Sequence, residues 1–204
     1  MRMLNNIQLS PHFSLLELTE SATARQRDIA NIPPPEAVEN LKRLCKGTLE
    51  PLRKALGLPV IITSGYRCKE LNNIVNRSSK TSQHMQGCAA DFYVSSAGSM
   101  RQSRGSRVNG LRPVQGSTGF AQFKVQCGKA AVQDSKVLGR RELLIMGFRL
   151  IILNEDIDYD QLILYPTFIH VSYVSRSKNR RKIIKANGHG TYCTVTREAA
   201  LCLS

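Results

Sequence analysis

The chain has 204 residues, of which 42% are hydrophobic and 22% are charged, a balance typical of one globular domain rather than of a disordered or fibrous chain. The formal net charge of +14 indicates attraction to a polyanion such as nucleic acid, anionic lipid or a bacterial wall polymer. No apolar run approaches the roughly 20 residues of a membrane helix, so we expect no membrane span.

The N-terminal residues 1–10 contain no apolar segment followed by a small-residue cleavage site, so the sequence predicts no signal peptide. We therefore expect synthesis in the cytoplasm, with the six cysteines reduced. None of these cysteines forms a Cys-x-x-Cys pair, which disfavours a cysteine-based zinc site.

The first predicted elements are helices. Ser14 followed by Glu17 forms a capping box that predicts a short helix. A second helix should begin near Pro35 or Glu36. Apolar residues at helical spacing continue it to residue 56, with a kink expected at Pro51 and an end at Gly57.

Two strands and a segment of different composition follow. Residues 58–63 and 89–94 are predicted strands, with a short helix at 68–75 between them. From about residue 95 to 139 the apolar periodicity disappears, and residues 95–149 contain ten Lys or Arg against two acidic residues. We interpret 95–139 as a basic, mobile insertion within a single domain spanning residues 1–204.

Regular structure is predicted again from residue 140. Apolar spacing indicates a helix over 140–153, followed by strands at 160–164 and 168–174 that are joined at Tyr165-Pro166-Thr167. Residues 180–185 suggest a last short strand, and the tail after residue 187 has no informative pattern.

Three residues are candidate metal ligands. His84 lies in a polar loop before a predicted strand, Asp91 lies inside that strand, and His170 lies inside a later one. A carboxylate in an apolar strand is costly unless it is paired or coordinated, and two imidazoles with one carboxylate form a normal catalytic zinc set. A lone histidine in a strand is, however, more often a core or surface residue, so spacing alone leaves both interpretations open.

An arginine follows the first predicted strand directly. Arg67, in the run Ser64-Gly65-Tyr66-Arg67, is placed where its guanidinium could grip a carboxylate through two parallel hydrogen bonds. It could equally be a solvated turn residue.

Several motifs, taken together and in order, resemble the M15 family of zinc peptidases, and within it the D-Ala-D-Ala carboxypeptidase-like branch of phages and prophages. These motifs are Phe13-Ser14-Leu15-Leu16-Glu17-Leu18-Thr19, Asn40-Leu41, Leu49-Glu50-Pro51-Leu52-Arg53, Ser64-Gly65-Tyr66-Arg67, Ser82-Gln83-His84, Ala89-Ala90-Asp91, Asp160-Gln161-Leu162-Ile163 and Ile169-His170-Val171-Ser172.

The resemblance implies an α+β fold of the M15, or hedgehog-like, type, with a small antiparallel sheet that carries the metal and helices that flank it. It implies that His84, Asp91 and His170 bind Zn²⁺ and that Arg67 recognises the terminal carboxylate of the substrate. Ser82 and Gln83 would orient the ligand loop and the substrate. Family members cut peptide bonds in bacterial cell walls, and the expected mechanism is metal-assisted hydrolysis.

The general base is the point at which the sequence departs from the family pattern. Many members have an acidic residue three positions before the last histidine, where this chain has Thr167. Asp160 is the strongest remaining candidate, since a hairpin turn near Pro166 could fold it back beside the metal.

Three functions compete at this level. The leading hypothesis is a zinc peptidase acting on peptidoglycan stem peptides, such as a phage endolysin, that reaches the wall after release from the cytoplasm. The alternative is a non-catalytic, zinc-containing peptidoglycan-binding protein. A nucleic-acid partner is not expected, because aromatic residues are sparse in the basic segment. We expect a monomer.

Overall fold

The computed structural model describes residues 7–75, 79–96, 138–187 and 190–203. Most of the predicted 95–139 insertion therefore lies outside the described residues. Among the helices of the described ranges, none is long and apolar enough to cross a membrane. The described cysteines are free thiols.

The N-terminal half is mostly helical. Its elements are β1 (Gln8–Ser10), β2 (Phe13–Ser14), α1 (Leu15–Thr19), α2 (Ala22–Gln26), α3 (Pro35–Leu44), a π-helical turn (Cys45–Leu49), α4 (Glu50–Leu56), β3 (Val60–Ser64), α5 (Lys69–Ile74), a 3-10 turn (Gln83–Gln86) and β4 (Ala89–Val94). After residue 138 come α6 (Arg140–Leu153), β5 (Gln161–Leu164), β6 (Ile169–Ser172), β7 (Lys182–Ala186), β8 (Tyr192–Thr194) and α7 (Arg197–Leu201).

Local signals explain where the helices begin and end. The Ser14 hydroxyl accepts a hydrogen bond from the Glu17 amide and caps α1, as the capping box predicts. The irregularity expected at Pro51 is the π-helical turn, which directly precedes α4 and the Pro51 within it. Gly57 ends α4 in the left-handed conformation.

Six strands form one sheet in the order β3-β4-β6-β5-β7-β8. The predicted antiparallel sheet is wrong in one respect: β5 and β7 pair in parallel, so the sheet is mixed. The chain leaves the end of β6 and returns to start β7 beside Asp160, whose carbonyl accepts a hydrogen bond from the Lys182 amide. This return makes β7 run in the same direction as β5.

The sheet has one face on the main core and one face free for the site. Alternate residues of β4 and β6 enter the core, including Ala90, Phe92, Ile169 and Val171, where α6 covers them. The residues between them, Asp91 and His170, consequently lie on the opposite face. That second face also carries a smaller apolar cluster on the neighbouring strands, formed by Ile163, Ile184 and Ala186.

Candidate metal and substrate site

The three predicted ligands meet on the free face of the sheet. Asp91 on β4 and His170 on β6 are paired directly across the two strands. His84 comes from the 3-10 turn that precedes β4, and the Ser82 hydroxyl caps this turn by accepting a hydrogen bond from the His84 amide. Two neighbouring strands and one capped turn therefore supply the cluster.

The ligand atoms are close enough to share one cation. Asp91 Oδ1 lies 2.8 Å from His170 Nδ1 and 3.3 Å from His84 Nε2, and the two imidazole nitrogens are 3.2 Å apart. One potential ligand atom from each residue lies within 4.8 Å of the others. Two imidazoles and a carboxylate match the donor set of a catalytic zinc site, which leaves a position open for water or substrate.

The protonation states also suit a cation. Burial lowers the pKa of His84, so its imidazole is neutral at neutral pH. Its Nδ1 donates to the Gly65 carbonyl at 2.7 Å, an arrangement that leaves the lone pair of Nε2 directed at Asp91 and His170. Burial alone would raise the pKa of Asp91, but its close contacts and hydrogen bonds with His84 and His170 outweigh burial and lower that pKa, so the carboxyl is ionised.

Two glycines allow close packing of the backbone around the 3-10 turn that carries His84, which we call the ligand turn. Gly87 has φ +71°, and a Cβ on it would lie 2.3 Å from the Ala37 carbonyl oxygen. A Cβ on Gly65 would lie 2.2 Å from the Leu18 carbonyl oxygen. Neither position tolerates a side chain without movement of the backbone, so both glycines fix the place of His84 against α1 and α3.

Arg67 lies beside the cluster. Its side chain is buried, and its Nη2 donates to Asp91 Oδ2 at 3.4 Å, while its own amide donates to the His84 carbonyl. Its Nε is buried and has no hydrogen-bond partner within the described residues. Such a donor is costly unless a ligand completes it. Of the two interpretations of Arg67 from the sequence, the solvated turn residue is therefore wrong.

Asp160 is not brought into the cluster. It is 1% exposed, and its carboxylate accepts hydrogen bonds from Arg180 (Nε at 2.9 Å and Nη2 at 2.5 Å) and from Gln83 Nε2 at 2.9 Å. Burial opposes ionisation, but these hydrogen bonds prevail and lower the pKa of Asp160 to about 2. A proton acceptor this weak, held by a guanidinium, is poorly suited to general-base catalysis at neutral pH.

A cavity of about 1110 Å³ opens above the cluster. His84, Asp91, His170 and Arg67 all line it, together with Ser82 and Gln83. Thr167, which occupies the position of the expected acid, lines it as well.

Sequence reasoning missed several residues that line this cavity. Tyr165 stacks on Phe168 with ring centroids 4.3 Å apart, and its hydroxyl lies 3.4 Å from that of Tyr192. Arg180 lines the cavity as well. The alternation of Ile163 and Tyr165 on one strand would have placed this tyrosine on the face of His170, whereas no sequence signal pairs Arg180 with Asp160.

Comparison with known proteins agrees with this geometry. The family model described as Peptidase M15 matches residues 11–124, more than half of the chain. The chain therefore belongs to the M15 family of peptidases. The matched range contains Arg67, His84 and Asp91 and ends before His170, which the strand pairing brings to the site. No match was found among curated proteins or among solved structures.

Proposed function

We propose that the protein is a zinc-dependent hydrolase that cleaves peptide bonds in bacterial peptidoglycan, of the D-Ala-D-Ala carboxypeptidase-like or endolysin-like branch. One observation carries the proposal: the His84, Asp91, His170 cluster lies in a wide cavity beside a buried arginine that has an unpaired donor. Family membership supports the peptidase class.

In this proposal His84, Asp91 and His170 would hold the zinc ion. When bound, zinc supplies Lewis-acid activation of water and of the scissile carbonyl. The Gly65 carbonyl keeps the His84 ring in the tautomer that exposes Nε2. The neighbouring Arg67 guanidinium favours the ionised form of Asp91, which is the form that binds a cation.

Substrate binding is assigned to Arg67, Ser82 and Gln83. Arg67 offers its guanidinium to the terminal carboxylate of the peptide, since its Nε has no internal partner. Gln83 lines the cavity and is fixed by its hydrogen bond to Asp160. Ser82 caps the turn that presents His84 and so orients the ligand loop.

The assignment of Asp160 as general base stays a prediction, and its contacts favour a different role. Because Arg180 and Gln83 occupy both carboxylate oxygens, Asp160 is better suited to position Gln83 and Arg180 at the cavity wall. Thr167 cannot replace the missing acid, because a hydroxyl is not basic at neutral pH.

A second function is favoured by the residues that line the cavity. Within the described residues, Asp91 is the only acidic residue that lines the cavity. A zinc-containing protein that binds peptidoglycan without cleaving it would have this arrangement. In either case the partner is the wall stem peptide, reached after release from the cytoplasm, and the protein acts as a monomer without nucleic acid.

The deciding experiment measures two properties of the same samples. Zinc per chain is determined by elemental analysis, and peptide release from purified peptidoglycan is followed by chromatography, for wild type, His84→Ala and the control His12→Ala. His12 is exposed and pairs with Glu50, away from the cavity. We expect one zinc and peptide release in wild type and control, and neither in His84→Ala.

The other outcomes separate the two functions. Zinc without peptide release in wild type would favour the binding protein. Full release after complete chelation would contradict a zinc peptidase, and a folded wild-type chain that takes up no zinc would contradict both functions.

A further inference from the structure

A second arginine, Arg180, lines the cavity that contains the His84, Asp91, His170 cluster. Arg180 precedes β7, and its side chain is 58% exposed. Its partner Asp160 lies three positions before Ile163, the residue paired with His170. Three residues of extended chain span ~10 Å, so Asp160 holds Arg180 about that far along the sheet from the cluster.

The contacts of Arg180 leave one edge of its guanidinium available. Nε and Nη2 donate to the two oxygens of Asp160, and the Arg180 amide donates to the same carboxylate at 2.8 Å. A guanidinium carries five N–H donors in a planar fork. Within the described part of the chain, Nη1 makes no hydrogen bond to a protein group, so the edge formed by Nη1 and the second proton of Nη2 remains free.

Asp160 also fixes the direction of that free edge. The carboxylate is 1% exposed, and Gln83 Nε2 and the Arg180 amide hold its two oxygens in place. A guanidinium gripped on one edge by an immobile carboxylate has little freedom left to rotate. A long side chain normally loses conformational entropy when a ligand orders it. Here that entropy is already lost on folding.

We infer that Arg180 forms an acid-recognition subsite, which binds a free carboxylate of the substrate about three residues from the scissile bond. This inference rests on the proposed function, because it takes the cluster as the point of cleavage. A planar carboxylate matches the free edge of the guanidinium with two parallel hydrogen bonds. A primary amide offers only one acceptor oxygen, and its N–H groups would face the N–H groups of the guanidinium.

A wall stem peptide presents such a group. In L-Ala-γ-D-Glu-L-Lys-D-Ala-D-Ala the glutamate is linked through its side chain, so its α-carboxylate stays free, three residues before the terminal bond. The D-isoglutamine form carries an amide at that position. The subsite would make the protein discriminate between walls with free and with amidated glutamate.

The test compares these two pentapeptides on the zinc-loaded, full-length protein. Binding is measured by calorimetry and hydrolysis by release of D-Ala, for wild type, Arg180→Lys, Arg180→Gln and Arg181→Gln. Arg181 is the matched control, because it is an exposed arginine that pairs with Asp158 at 2.9 Å and does not line the cavity. The ratio of the two peptides within one variant does not depend on how much of that variant is folded.

We expect wild type and Arg181→Gln to prefer the acidic peptide by roughly 10- to 100-fold, the usual value of a charge-assisted pair. The preference should fall to about 1 in Arg180→Gln and take an intermediate value in Arg180→Lys, which keeps the charge but loses the fork. Equal binding of the two peptides by wild type, or an undiminished preference in the Arg180 variants, would overturn the inference. A preference in binding that depends on Arg180, without release of D-Ala, would support the subsite and contradict a D-Ala-D-Ala carboxypeptidase.

Discussion

Asp91 and His170 face each other as direct neighbours across β4 and β6, and their side chains meet with 2.8 Å between Oδ1 and Nδ1. The pairing fixes both backbones at once, so two of the three proposed ligands depend on sheet register rather than on loop conformation. A shift of one residue in either strand would turn one ligand into the core. The geometry of the site is therefore as stable as the sheet.

Zinc should stabilise the fold through this pair. A ligand that binds only the native state, at a free concentration of 100 times its Kd, adds about 2.7 kcal/mol to the free energy of unfolding. We expect zinc to raise the melting temperature of wild type by several degrees and to leave His170→Ala unchanged. Scanning calorimetry with zinc and with a chelator measures this shift. An equal shift in both proteins would place the bound zinc elsewhere.

Arg67→Ala should weaken the use of substrates that end in a free carboxylate. Loss of a charge-assisted pair lowers kcat/KM by roughly 10- to 100-fold, and the loss should be much smaller for the same peptide with an amidated C-terminus. Steady-state kinetics on the two peptides give the comparison. The exposed Arg43, replaced by alanine, is the control. If Arg67→Ala reduced both substrates equally, Arg67 would not recognise the terminal carboxylate.

Asp160→Asn separates a base from a positioning residue. Loss of a general base costs roughly 10²- to 10⁴-fold in kcat. Because both Asp160 oxygens are occupied by Arg180 and Gln83, we expect a reduction in kcat below tenfold, a larger change in KM, and an unchanged zinc content. Steady-state kinetics give kcat and KM for the two proteins, and elemental analysis gives their zinc content. A hundredfold loss in kcat at full zinc content would restore Asp160 as the base.

The same carboxylate should contribute to stability in a defined pH range. The pKa of Asp160 is lowered to about 2 in the folded protein, below its ordinary value of 3.8, so its contribution is complete above about pH 4 and is lost as the pH falls to 2. We expect this contribution to be about 1 to 2 kcal/mol, since the exposed Arg180 is partly screened by solvent. Urea unfolding at pH 5, 3 and 2 should show a flatter profile in Asp160→Asn than in wild type. The exposed Asp156, replaced by asparagine, is the control variant.

The sequence predicts the local elements of this protein well. β4 and α6 begin and end at the predicted residues, because apolar periodicity and flanking polar residues define them. Asp91 stands out for a physical reason as well, since a charge between Ala90 and Phe92 requires a partner. Family resemblance then joins His84 and His170 to it, although the spacing of the three residues is not diagnostic.

The sequence does not predict which distant strands and side chains pair with each other. The parallel course of β7 depends on where the chain returns after β6, and no local pattern in residues 173–181 encodes this direction. The pairing of Asp160 with Arg180 arises from the same return of the chain. The sequence favours Asp160 as a base because a hairpin turn near Pro166 could fold it back beside the metal, whereas its contacts to Arg180 and Gln83 become visible only in the folded sheet.

Gly87→Ala should disturb stability and metal binding together. A methyl group there would meet the Ala37 carbonyl oxygen at 2.3 Å and would require a left-handed backbone at φ +71°, so we expect a loss of about 3 kcal/mol or more. Gly57→Ala is the matched control: its φ is +62° but nothing lies within 4 Å of the added Cβ, and strain alone should cost about 1 kcal/mol. Since Gly87 joins the turn of His84 to the strand of Asp91, only Gly87→Ala should lower zinc affinity. Denaturant unfolding of the metal-free proteins and zinc titration measure the two effects. Equal losses in both variants would mean that the contact with Ala37 does not hold the ligand turn in place.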